Sequence, residues 1–83
     1  MDPDEHGNTQ LHFLAMVGNC SKIRALSEKQ RKEEINVQNK LGQTPLHIAY
    51  IHGQSEAGLL LLQLGADDTI RDNTGKTPGD YLP

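Results

Sequence analysis

An all-α solenoid is the fold class predicted by this 83-residue sequence, with two full helix-turn-helix repeats and a truncated third. Three observations predict it. The hexamer Gly7-Asn8-Thr9-Gln10-Leu11-His12 returns 35 positions later as Gly42-Gln43-Thr44-Pro45-Leu46-His47, and more weakly a further 33 on as Gly75-Lys76-Thr77-Pro78-Gly79-Asp80. The register also holds outside the hexamers. Gly18 and Leu26 precede Gly53 and Leu61 by the same 35, and Asp4, Asn39 and Asp72 each stand three residues before a repeat glycine. Finally, every copy joins a turn signal to a helix-start signal. A period of this length marks a stacked array, because a single unit cannot bury its apolar face alone.

Each unit opens on a turn. In Asp72-Asn73-Thr74-Gly75 the Asp and Asn favour the start and Gly tolerates positive φ. Asn39-Lys40-Leu41-Gly42 and Asp4-Glu5-His6-Gly7 are its equivalents. Thr44-Pro45 then starts a helix: the Thr hydroxyl accepts from a free first-turn N–H, and Pro suits the first helical position. That helix is expected to reach about His52 and stop at Gly53, and a second to run from about Ser55 to Leu64 and end at Gly65. In the first unit the second helix is expected around Ser21–Lys29, with Lys29-Gln30-Arg31-Lys32-Glu33-Glu34 as a solvated loop or frayed helix end. The whole is one domain, 1–83, with repeats at about 4–38, 39–71 and 72–83.

Composition removes several function classes. Eight Lys and Arg against eleven Asp and Glu leave a net charge of −3, which argues against phosphate-backbone binding. The four leucines Leu59–Leu62 and the five apolar residues Phe13–Val17 are both far short of the roughly 20 residues a bilayer needs. The acidic N-terminus (Asp2, Asp4, Glu5) does not read as a signal peptide. The single cysteine, Cys20, cannot form an internal disulfide, which fits an intracellular protein, cytoplasmic or nuclear. No phosphate loop, nucleophile elbow or dinucleotide fingerprint occurs. Zinc would need three or four clustered ligands, whereas His6, His12, His47, His52 and Cys20 are spread over separate elements. His12 and His47 are instead expected to bond the neighbouring Thr hydroxyl or a backbone group. The expectation is a non-enzyme without metal or cofactor.

The segment Gly42-Gln43-Thr44-Pro45-Leu46-His47-Ile48-Ala49, followed by Gly53, Leu60-Leu61 and Gly65-Ala66-Asp67, resembles an ankyrin repeat. The likeness is ungapped from 39 to about 78 and extends to the first unit with a two-residue insertion near 27–35. Several residues depart from the pattern. Gln10 replaces a proline. Leu14 and Tyr50 stand where small alanines are usual, which should widen the local helix spacing. Gly58 takes a valine-like core position, which should cost helix propensity and packing volume. Gly79 and Asp80 replace the motif's Leu and His.

The resemblance implies turns that project as β-turn fingers, first helices that line a concave face, and another protein as partner. Carried over position by position, the finger residues are Glu5, His6 and Asn8, then Gln38, Lys40, Leu41 and Gln43, then Arg71, Asn73, Thr74 and Lys76. Met16, Val17, Ile51 and His52 fall on the same side of the helices. Leu41, Met16, Val17 and Ile51 make an apolar centre, with Lys40, Arg71 and Lys76 as a partly basic rim.

The far end is richer in leucine. Five leucines in six positions, Leu59–Leu64, cover more than one helix face, so Leu59, Leu62 and Leu64 are expected to be partly exposed and form a possible second interface. Three explanations stand: the chain is cut from a larger protein, it self-associates through this end, or Tyr81-Leu82 folds back over it. A finer resemblance, to the inhibitor-of-NF-kappaB type, rests on Asp4–His12 and on Ile35–His47. The readings are therefore a protein-interaction module, a masking inhibitor of a transcription factor, and a small subunit or targeting domain docked through the leucine-rich helix. No nucleic acid or membrane is expected among the partners.

Overall fold

The computed structural model describes residues 6–82. Five helices follow in order: α1 (Gln10–Val17), α2 (Cys20–Ala25), α3 (Glu28–Glu34), α4 (Pro45–Ile51) and α5 (Ser55–Gln63). A 3-10 turn, Pro78–Tyr81, closes the described chain. No strand occurs among the described residues, and the array is the helical solenoid the repeat predicts.

The first helix of each pair starts by the same device. Thr44 is the N-cap of α4 and accepts from the His47 N–H at 3.4 Å, while His47 Nδ1 accepts from the Thr44 N–H at 3.1 Å. Thr9 and His12 repeat the arrangement at α1, with 3.3 and 3.0 Å. Two otherwise unsatisfied N–H groups are thereby paired at each helix start. The same histidines then reach forward. His12 Nε2 donates to the Gln43 carbonyl at 2.8 Å and His47 Nε2 to the Lys76 carbonyl at 2.9 Å. A ring that accepts at Nδ1 and donates at Nε2 is the neutral Nε2–H tautomer.

These bonds also set helix direction. The start of α1 is tied to the turn that precedes α4, and Gln54, just past α4, donates from Nε2 to the Met16 carbonyl near the end of α1. Helices α1 and α4 therefore run parallel and side by side. Leu11, Ala15, Ile23, Leu46, Ala49 and Leu61 fill the shared core with no exposed area. Burying a large aliphatic side chain of this kind is worth roughly 1.5–3 kcal/mol. Ile48 is buried, yet Phe13, at the equivalent position, is 41% exposed. Among the described residues no helix pair precedes α1 to cover it.

Two expectations need correction. The Lys29–Glu34 stretch is neither a loop nor the frayed end of the preceding helix but part of a separate helix, α3. Leu26 breaks α2 with an extended backbone, and the Ser27 hydroxyl caps α3 by accepting from the Gln30 N–H at 3.1 Å. Helix α3 then works on α1: Glu34 accepts from the Leu11 N–H at 3.0 Å, and Gln30 donates to Gln10 at 2.9 Å and to Glu34 at 3.1 Å. Gln10 lacks proline's pre-set φ, but it supplies an acceptor for the inserted helix. The second correction concerns Gly58, which leaves no void. A Cβ built there would lie 2.3 Å from Tyr50 Cε1, so the tyrosine ring occupies the space a valine would fill. The two departures from the repeat pattern compensate each other.

Candidate interaction surface built on linked turns

The second and third turns are each built on one side-chain acceptor. Asn39 Oδ1 accepts from the Leu41 and Gln43 N–H groups at 2.9 and 3.0 Å. Asp72 Oδ1 accepts from the Thr74 and Lys76 N–H groups at 2.9 and 3.1 Å. Successive turns are also bonded to each other. The Lys40 N–H donates to the His6 carbonyl at 2.8 Å, and the Asn73 N–H donates to the Leu41 carbonyl at 3.0 Å. At Gly42 the next turn comes so close that a Cβ would meet the Asn73 nitrogen at 2.7 Å, and φ is +78°. Only glycine meets both demands.

This network sorts the residues singled out from sequence. Gln38 donates to the Gly42 and Arg71 carbonyls at 2.8 and 3.0 Å, Asn73 Nδ2 donates to the Lys40 carbonyl at 2.8 Å, and Arg71 donates to the Gly75 carbonyl at 2.9 Å. All three are exposed, yet each also braces a turn. Gln43 is half-buried, with its carbonyl taken by His12. Asn8 is not a surface finger residue: it is buried, and its Oδ1 accepts from Asn39 Nδ2 at 2.8 Å. Glu5 lies outside the described residues. Lys40 and Leu41 are both exposed, Leu41 with 58% of its surface.

The helix candidates form a separate group. Val17 is 65% and Ile51 39% exposed, His52 is exposed, and Met16 is half-buried against the core. Parallel α1 and α4 put these four at one end, about 10 Å from the turns by helix rise. Phe13 escaped the sequence reading. It lies four residues before Val17 and so shares its face. A large ring at the position where repeat 2 carries Ile48 was the signal available.

At the last turn the Asp72 carboxylate is buried. Burial opposes its charge, but the Thr74 and Tyr81 hydroxyls and the Lys76 and Thr74 N–H groups outweigh that and hold the carboxyl well below its usual range. Donation to Asp72 in turn raises the Tyr81 phenol. The Tyr81 ring meets His47 edge-on at 6.0 Å, and the Lys76 ammonium stands 5.5 Å from its centroid. Tyr81 thus packs against the start of α4. It leaves Leu59 58% exposed, while Leu62 and Leu64 are half-buried against the core.

Among the described residues no pocket opens, no group of three or more His, Cys, Asp or Glu is placed to hold a metal, and no helix is long and apolar enough to cross a membrane. The chemistry on offer is that of an open surface. The family profile described as ankyrin repeats, in three copies, matches residues 1–78. The chain belongs to the ankyrin repeat family. Ankyrin repeats are generally protein-interaction modules, and the fold itself is non-catalytic.

Among its relatives, human ankyrin repeat domain-containing protein SOWAHB is 37% identical over 81 residues, covering 92% of this chain and 10% of that protein. NF-kappa-B inhibitor alpha of Sus scrofa is 39% identical over 77 residues, covering 89% of this chain and 24% of the inhibitor. Human B-cell lymphoma 3 protein is 36% identical over 76 residues, covering 89% and 17%. The ankyrin chain therefore spans between a tenth and a quarter of the length of these relatives.

Proposed function

We propose that this chain is a non-catalytic protein-binding module that holds its partner on the second and third turns and on the concave side of the first helices. Lys40, Leu41, Val17, Ile51 and His52 make the contacts. Gln38, Gln43, Arg71 and Asn73 combine contact with bracing, and Met16 backs the apolar strip. The observation that carries the reading is Leu41. It is a largely exposed leucine at a turn tip whose N–H is taken by Asn39 of its own turn and whose carbonyl is taken by Asn73 of the next. A side chain with no role in the core, on a backbone already ordered, binds without the entropy cost of ordering a loop. The module acts by steric occupation in an intracellular compartment, with neither nucleic acid nor membrane as its target.

The test is affinity capture with the wild-type chain beside a Lys40→Ala/Leu41→Ala/Ile51→Ala variant and a Leu59→Glu/Leu62→Glu variant, each verified as helical by circular dichroism. A partner lost only by the first variant supports the reading. A partner lost only by the second moves the function to the leucine-rich helix and makes the chain a docked subunit or a self-associating unit. A second reading, masking of a transcription factor, is favoured by the similarity to NF-kappa-B inhibitor alpha. It requires that the captured partner be such a factor and that binding block its DNA contact.

A further inference from the structure

Resting on the turn-and-groove reading, we infer that the second and third turns select an acidic segment of the partner, one whose Asp or Glu residues flank an apolar side chain seated on Leu41. The argument is charge segregation. The chain carries a net −3, yet the exposed charges between residues 36 and 44 and between 69 and 77 are Lys40, Arg71 and Lys76, all positive. The acid in those two stretches is Asp72, which is buried with its carboxylate taken by hydrogen bonds within its own repeat. The described acids outside them stand on α3, on α5, in the Asp67-Asp68 return loop and at Asp80 beyond the third turn.

Among the described residues none of the three cations pairs with a carboxylate. Each is nonetheless anchored. Lys40 is bonded through its N–H and its carbonyl to the turns on either side, Arg71 is clamped to the Gly75 carbonyl, and the Lys76 ammonium rests over Tyr81. Three cations without anionic partners, one beside the exposed Leu41 and two flanking the turn bonded to its carbonyl, complement an acid–apolar–acid segment. They repel a basic one, and like-charge juxtaposition is a strong source of discrimination between partners.

The experiment selects phage-displayed 12-residue random peptides on the immobilised chain in low salt, then measures fluorescein-labelled synthetic winners by anisotropy. The expected winners carry at least two acids around an aliphatic or aromatic residue. Their affinity should fall about tenfold in a Lys40→Glu/Lys76→Glu variant that remains helical, and by a similar factor between 50 mM and 500 mM NaCl, where surface charges are screened. Lys40→Arg should bind as wild type. Winners that are basic or uncharged, or acidic winners indifferent to the charge reversal, overturn the inference. If those winners are still lost on Leu41→Ala or Ile51→Glu, the turn-and-groove reading survives without it; if they ignore these changes too, both fall. Enrichment of no peptide at all also overturns it, since a linear segment would then not suffice.

Discussion

Replacing Gly58 by Ala tests the pairing of Gly58 with Tyr50 directly. In an ordinary helix interior this change stabilises by about 1 kcal/mol, because Ala is the better helix former. Here the new methyl would sit 2.3 Å from Tyr50 Cε1 and 2.9 Å from Cδ1. A normal carbon–carbon contact is about 3.5–4.0 Å, so the ring must retreat by more than about 1 Å and give up its packing on α5. Overpacking of this kind costs about 1–3 kcal/mol. The net expectation is destabilisation by up to about 2 kcal/mol. With Tyr50 first truncated to Ala, the clash is gone and Gly58→Ala should regain its stabilising sign, by about 1 kcal/mol. The substitution therefore changes sign between the two backgrounds, with a coupling of about 1–3 kcal/mol, within the usual range for residues in contact. Urea unfolding followed by circular dichroism resolves this, since an m value near 1 kcal/mol/M turns 1 kcal/mol into a midpoint shift of about 1 M. If Gly58→Ala stabilised both backgrounds equally, the reasoning that the ring fills the glycine's space would be wrong.

Three further outcomes are expected. His47→Ala should cost about 2–3 kcal/mol, because it strands the buried Thr44 N–H and the Lys76 carbonyl; His47→Gln, which can still complete the capping box, should recover part, and amide exchange at Thr44 should separate the two. Because the folded state holds the Asp72 carboxyl below its unfolded value near 3.9, its contribution to stability is fully present above about pH 4 and is lost as pH falls toward the folded value. The melting temperature of Asp72→Asn should accordingly fall less steeply than that of wild type between pH 5 and pH 2, and equal slopes would contradict this. Glu34→Ala should cost about 1 kcal/mol by uncapping the Leu11 N–H, whereas Lys32→Ala, which breaks only the exposed 3.2 Å pair with Glu28, should cost no more than about 0.5 kcal/mol in the same urea titration.

Local, directional signals made most of the helix starts and stops legible in the sequence. Thr44-Pro45 marks the start of α4 because an N-cap hydroxyl and a proline both act within one turn of the residue that carries them. The period of 35 and 33 residues predicted that the units stack. The Ser27–Gln30 cap of α3 is equally local, but the charged residues after it carry no apolar face to mark a helix. For the candidate surface, sequence position alone identified the turn tips. They could not separate Lys40 and Leu41, which point outward, from Gln38, Arg71 and Asn73, which also brace the turns.

What the sequence by itself determined is the repeat, legible as a period of 35 and 33 residues, together with most of the helix starts and the turn tips, which depend on residues within about four positions. Only the tertiary structure decided what depends on neighbours some 20 to 38 residues away: Glu34 on α1, Asn8 beneath Asn39, Gln54 on Met16, and the Lys76 carbonyl on His47. Tyr50 over Gly58 belongs with them although only eight residues separate the two, because the contact exists only once α4 and α5 fold against each other. The physical reason is common to all of them. A side chain's propensity is a property of its own short segment, whereas the partner that satisfies or fills it is supplied by whichever element the packing of the helices brings alongside.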